Sequence, residues 1–241
     1  MSKFVDLAEG TRHSIGVTEN GQAFSWGKSS KLGQLGRDTD KISSTKPGAV
    51  ALAKGVVVQR AYVSNSDNDS GHSALLDDQG RLWMAGCDRW QQLGLGSAQG
   101  GTAGYTWKGG KLWQERFVLS SYITDLMKED NADAAIRDVA LGADHTLVLS
   151  SNKNDVYSFG KGGDGQLGFV GKPFVSAPRK SSVLSEPNIA AVCAVRHCSM
   201  TLGSDGLVKQ RVGRQCGASI VTQGVDECIA RARRHKLLDD L

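Results

Sequence analysis

The sequence predicts an all-β chain built as a β-propeller, with small antiparallel sheets set side by side about an axis. Three observations predict it. First, a motif recurs: Gly10–Gly36 reads GTRHSIGVTENGQAFSWGKSSKLGQLG and Gly142–Gly168 reads GADHTLVLSSNKNDVYSFGKGGDGQLG. A looser copy spans Gly71–Gly94, GHSALLDDQGRLWMAGCDRWQQLG, and a worn one begins at His197, HCSMTLGSDGLVKQRVG. Second, each unit holds only three or four short strands. A sheet that small cannot cover its own apolar face, so the units must stack. Third, 30 glycines and 4 prolines in 241 residues describe a chain rich in turns, not a disordered one.

The first repeat covers residues 4–52. Alternation of apolar residues places strands at Phe4–Ala8, His13–Val17 and Gln22–Trp26. Asn20-Gly21 reads as a type I′ hairpin turn, because both residue types tolerate positive φ. The second repeat, 56–96, opens with Val56–Val63 and replaces Trp-Gly by Ala85-Gly86. Residues 97–131 depart from the pattern and read as an insertion, with a hairpin from Tyr105 to Trp113 about Gly109-Gly110 and a short helix within 120–133. The third repeat covers 136–180. The fourth, 189–213, turns at Asp205-Gly206 and carries Arg211-Val212 where Trp-Gly would stand. Repeats thus fill 1–213. The tail, 214–241, is expected to form a helix over Asp226–Leu241 with an irregular apolar face.

These motifs resemble the regulator of chromosome condensation repeat family. The repeat positions that carry the resemblance are Gly10, His13, Trp26, Gly27 and Gly36 in the first unit; His72, Gly86 and Gly94 in the second; Gly142, His145, Gly160 and Gly168 in the third; and His197 in the fourth. The resemblance implies blades of four antiparallel strands, ordinarily seven to a ring. About four blades are recognisable here, which describes an incomplete ring. Three arrangements could finish it: degenerate strands from 97–131 and the tail, closure as a smaller ring, or a partner over the open end. The expectation adopted is the partner.

The charge of +4 reflects a mixed surface of 29 basic and 25 acidic residues, and does not point to nucleic acid. No apolar run approaches membrane-spanning length, and the chain is expected to be soluble and intracellular, cytoplasmic or nuclear. The five cysteines are odd in number and lack a Cys-x-x-Cys spacing, so reduced thiols are expected. Cys193, His197 and Cys198 make a weak zinc reading. No metal or cofactor is expected. Neither a nucleophile nor a paired acid and base can be assembled, so no enzyme is predicted.

One histidine per repeat, always beside a turn, reads as a structural element and not as a ring of functional imidazoles. Tyr105, Trp107, Trp113 and Arg116 are the candidate partner-binding residues, being aromatic anchors with a charged rim. The basic cluster Arg231, Arg233, Arg234, His235 and Lys236 reads as a solvated helix face. The resulting expectation is a non-enzymatic protein-interaction module, a scaffold or accessory subunit whose protein partner covers a propeller face or open edge. The resemblance offers two alternatives: nucleotide exchange on a Ran-type small GTPase, through one propeller face and a protruding wedge, and chromatin or nucleic-acid association.

Overall fold

A computed structural model describes residues 3–28, 32–38, 44–66, 70–96, 105–108, 111–130, 133–151, 155–214 and 216–238. Four antiparallel sheets follow one another along the chain as blades. Blade 1 is β1 (Phe4–Glu9), β2 (His13–Thr18), β3 (Ala23–Gly27) and β4 (Gly48–Ala49), in that order. Blade 2 is β5 (Val58–Val63), β6 (His72–Asp77), β7 (Leu82–Cys87), β9 (Lys111–Leu119) and, at its edge, β8 (Tyr105–Lys108). Blade 3 is β10 (Ile136–Leu141), β11 (His145–Ser150), β12 (Val156–Lys161) and β13 (Phe174–Lys180). Blade 4 is β14 (Ile189–Val195), β15 (Cys198–Gly203) and β16 (Val208–Val212). Two helices complete the chain, α1 (Ser121–Asp130) and α2 (Ala218–Arg234).

The innermost strands β1, β5, β10 and β14 pack on one another in succession. The core is therefore divided into slabs between blades. Ile15, Val17 and Ala23 of blade 1 meet Leu75, Trp83 and Ala85 of blade 2. Leu76, Leu82 and Met84 meet Val148, Tyr157 and Phe159 of blade 3, with Ile123 and Met127 of α1 added to that slab. Leu147, Leu149 and Val156 meet Val192 and Ala194 of blade 4. The strand alternation makes this possible, since successive residues of a middle strand face opposite neighbours.

Four expectations change. The segment read as an insertion supplies β9, the fourth strand of blade 2, paired to β7 through Trp83↔Leu119 and Cys87↔Trp113; only β8 is extra. The hairpin turn at Asn20-Gly21 has positive φ at Gly21 alone (75°), with the Gly21 amide bonded to the Thr18 carbonyl. It is a type I turn followed by a left-handed glycine, not type I′. The C-terminal helix starts at Ala218, after Gly217 in extended conformation, eight residues earlier than expected, and ends where Lys236 turns to φ 55°. Finally, Cys193 is bonded to Cys228 and Cys198 to Cys216, leaving Cys87 as the free cysteine, where reduced thiols were expected. The pairing was hidden because one bridge joins blade 4 to α2 and the other to the segment just before it, and the sequence does not reveal where that helix packs.

Candidate functional site

The repeat histidines act between blades. His13 Nε2 lies 2.7 Å from Ser73 Oγ of blade 2, His72 Nε2 lies 3.0 Å from Thr146 Oγ1 of blade 3, and His145 Nε2 lies 2.8 Å from Ser199 Oγ of blade 4. The hydroxyl of Ser73 donates to the Gln34 carbonyl at 2.7 Å, and that of Thr146 to the Gln92 carbonyl at 2.7 Å. Each of these hydroxyls thus spends its proton on a carbonyl, so the imidazole facing it must donate from Nε2. The Gly-Gln-Leu-Gly turn of one blade and its histidine thereby hold the same hydroxyl of the next. Burial pushes the three imidazoles down, His13 to about 4 and His72 and His145 to about 3, which keeps them neutral. The three neutral, buried imidazoles are thus spent on holding one blade to the next.

A second set of contacts lies nearer the axis. Every inner strand carries a bulge near its start, which re-aims the next residue. The residues at this position are Asp6, Arg60, Asp138 and Ala191. Asp6 accepts from the Ala61 amide at 2.8 Å and Asp138 from the Val192 amide at 3.1 Å, each reaching the following blade. Arg60 reaches the Arg137 carbonyl of blade 3 at 2.8 Å.

Helix α2 closes over these groups. Its Arg231 pairs with Asp138 at 2.9 Å, His235 lies 3.2 Å from Asp6 Oδ1, and Arg234 bonds the Leu7 carbonyl. Burial pushes the Asp6 carboxyl up. The His235 hydrogen bond and charge, the Ala61 amide and Arg234 outweigh it, leaving Asp6 below its ordinary value. The basic cluster expected on a solvated face is therefore divided: Arg231 and His235 turn inward onto Asp138 and Asp6, while Arg233, Arg234 and Lys236 stay exposed, Arg234 reaching Asp6 at 3.7 Å from the surface. Between α2 and the inner strands lies a cavity of about 530 Å³, lined in part by Leu7, Tyr62, Glu227 and Arg231.

The two ends of the arc differ. In blade 4, Ser199 pairs with Val212 as Thr146 pairs with Phe159 in blade 3, and Gly213 lies against Cys198 as Gly160 lies against His145. Cys198, not His197, therefore holds the repeat-histidine position, and Val212-Gly213 takes the place of Trp-Gly. His197 sits one residue early and is half-buried. Cys198 is tied to Cys216, just before α2. Ile220, Val221 and Val225 of α2 then cover Met200 and Leu202, which are fully buried. Gly224 permits the approach: a Cβ there would stand 2.7 Å from Met200 Cε.

Among the described residues, blade 1 has no such cover. Ser14, Phe24 and Trp26 occupy the positions that Ser73, Trp83 and Ala85 bury against the preceding blade in blade 2. Here Phe24 and Trp26 are half-buried, and Phe4, Val5 and Leu7 are 43%, 53% and 36% exposed. Phe4 folds back over Gly16 and stacks edge-on against Phe24 at 5.9 Å. Of the three expected ways to finish the arc, the tail supplies one end and leaves the other as an apolar sheet face.

The candidate partner-binding residues separate. Trp113 is 8% exposed and packs with Leu32 and Cys87, so it is a core residue of the blade 2 rim and not a presented anchor. Burial holds the Cys87 thiol up at about 11. Arg116 is exposed on the same strand. Tyr105 and Trp107 lie on the edge strand β8, and Gly109-Gly110 lie outside the described residues. No group of three or more His, Cys, Asp or Glu side chains able to hold a metal occurs among the described residues. No described helix is long and apolar enough to cross a membrane. The open face of blade 1 is an open end of the arc of the kind for which a partner was expected; its residues Phe4, Phe24 and Trp26 were not among the partner-binding candidates named from sequence.

Comparison with known proteins agrees with this architecture. Two family profiles described as regulator of chromosome condensation (RCC1) repeat match residues 136–166 and 153–202. The RCC2 homolog of Danio rerio is 30% identical over 212 residues, covering 84% of this chain and 40% of that protein. The probable E3 ubiquitin-protein ligase HERC4 of Homo sapiens is 26% identical over 207 residues, 86% of this chain and 17% of that protein. The chain thus spans about two fifths or less of the curated relatives it matches. Among solved structures, yeast RCC1 (Prp20) bound to Kap60 superposes with a TM-score of 0.64 at 21% identity, over 86% of this chain and 43% of that one. A second structure of Prp20p, from a study that also treats its binding to Gsp1p and histones, gives a TM-score of 0.61 at 22% identity, over 86% and 44%. With its four propeller blades and its inter-blade histidines, the chain belongs to the regulator of chromosome condensation repeat family.

Proposed function

We propose that the chain is a non-enzymatic protein-interaction module, a scaffold or accessory subunit that engages a protein partner through the open face of blade 1. One observation carries this reading. The face formed by Phe4, Phe24 and Trp26 is the face that the later blades bury, and here it meets solvent. Contiguous apolar surface of this kind marks interaction sites. Among the described residues, the neutral histidines His13, His72 and His145 and the carboxylates of Asp6 and Asp138 hold blade to blade and helix to blade, which favours a packing role for them over a chemical one. The test is affinity purification of the full chain beside its Phe24→Asp variant. A protein recovered in stoichiometric amount with the first and lost with the second supports the reading. Equal recovery with both removes blade 1 from it.

A second reading is guanine-nucleotide exchange on a Ran-type small GTPase. The extra edge strand β8, which widens blade 2 to five strands, favours it as a counterpart of a wedge. Acceleration of GDP release from such a GTPase at micromolar chain supports it, and an unchanged release rate rejects it. Chromatin association is the least supported, because Arg231 and His235 turn inward and shrink the basic surface it would need. Binding to DNA that falls steeply with salt would be its mark.

A further inference from the structure

We propose that the two ends of the arc are the two halves of one interface, and that a second copy of this chain docks on blade 1 once the disulfide tether of the blade 4 cap is opened. This rests on the reading of the blade 1 face as a contact surface, and it names the occupant.

The chain builds the same interface three times. One blade presents His, then apolar residues at alternate positions of its second strand: His13, Ile15 and Val17, then His72, Ala74 and Leu76, then His145, Leu147 and Leu149. The next blade receives them on a hydroxyl and an apolar face: Ser73 and Leu75, then Thr146 and Val148, then Ser199. The fourth presenting face is Cys198, Met200 and Leu202, and the fourth receiving face is Ser14 with Phe4, Phe24 and Trp26. The first is covered by the cap and the second is open. Presenter and receiver lie at opposite ends of the chain, so two copies can satisfy each other head to tail. Such a contact closes when the rotation allows. The described residues of two chains bring eight blades, within the range of about four to eight at which propellers close.

The cap is what prevents this in the oxidised chain. Cys198, at the position where an imidazole would reach the next blade, is bonded instead to Cys216. Cys193 holds Cys228 further along α2. A dithiol reductant opens both bridges: each S–S bond takes two electrons and two protons to give two thiols, and one dithiol is oxidised to its own disulfide per bridge. The stretch from Cys216 to Val225 is then free to leave Met200 and Leu202. The receiving face of the second copy competes for the same apolar surface.

The experiment is sedimentation equilibrium of the full chain at micromolar concentration, with and without dithiothreitol. The expected result is a mass of 25.6 kDa when oxidised and twice that when reduced. The double variant Cys198→Ser/Cys228→Ser should show the doubled mass without reductant. Phe24→Asp should weaken the reduced pair by roughly tenfold or more. A single-chain mass in both redox states overturns the proposal. So does a doubled mass in the oxidised chain, or a reduced pair indifferent to Phe24→Asp, or passage to larger aggregates with loss of the β circular-dichroism signal. If reduction leaves the mass unchanged while Phe24→Asp still loses a co-purifying protein, the interaction reading stands and the self-pairing falls.

Discussion

His235 Nε2 lies 3.2 Å from Asp6 Oδ1, so the residue that ends α2 grips the first strand across 229 positions of sequence. Both side chains are nearly inaccessible, 3% and 5% exposed. Asp6 also accepts from the Ala61 amide and faces Arg234. Replacing it by Asn keeps the shape and removes the charge. Asp6→Asn is expected to destabilise the fold by about 2–4 kcal/mol, since a buried partner is left uncompensated. Urea unfolding followed by circular dichroism checks this.

The buried histidines set a pH dependence. Their folded values, about 4 for His13 and about 3 for His72 and His145, lie below the ordinary 6.5. The unfolded chain therefore binds more protons than the folded chain between those limits. The stability they contribute is complete above pH 6.5 and is lost as pH falls toward 4 and then 3, by up to ~3 kcal/mol for His13 and ~5 kcal/mol each for His72 and His145. Asp6, also depressed, adds its loss below its ordinary 3.8. Urea midpoints measured from pH 7.5 down to 4 should fall steadily. A His72→Gln/His145→Gln variant should be less stable at pH 7 and show a flatter profile.

Two glycines with positive φ separate conformational strain from collision. At Gly86 (φ 109°) a Cβ would stand 2.6 Å from the Gly71 carbonyl oxygen and from His72 Cα, both backbone. At Gly80 (φ 71°) nothing lies within 4 Å. Gly86→Ala is expected to cost about 3 kcal/mol or more and Gly80→Ala about 1 kcal/mol. Thermal melting of the two variants side by side tests the difference.

Trp113→Ala should act on stability first. The side chain is packed with Leu32 and Cys87, and its removal opens a cavity at the rim of blade 2. A loss of about 3–5 kcal/mol is expected. Faster hydrogen exchange along β7 and β9 than in β11 and β12 would locate it.

The blades were legible because strand alternation, turn glycines and repeated histidines all recur at the surface of the sequence. His13, His72 and His145 could be assigned a structural role from recurrence alone. Their partners could not, because Ser73, Thr146 and Ser199 belong to the following blade, at separations of 60, 74 and 54 residues. The fourth repeat slipped by one position for a chemical reason. A cysteine stands where the histidine is expected and a histidine stands beside it, so residue type pointed to His197 while the register points to Cys198. Trp113 looked like an interface residue because charged residues flank it, Lys111, Glu115 and Arg116 among them, yet pairing with Cys87 turns its ring inward. The start of α2 was obscured by Gly217 and Gly224, which weaken a helical pattern; Gly224 is present because Met200 needs the room.

The bulge at the head of each inner strand makes the blades individuals. At one equivalent position the four carry acid, base, acid and alanine, in Asp6, Arg60, Asp138 and Ala191. Helix α2 meets this sequence of charges in one order only. Shuffling the units would leave a basic side chain opposite Arg231 or strand a carboxylate where His235 belongs. The axle thus works as a key that records the order in which the blades were strung, and a permuted gene would encode a wheel that its own helix no longer fits.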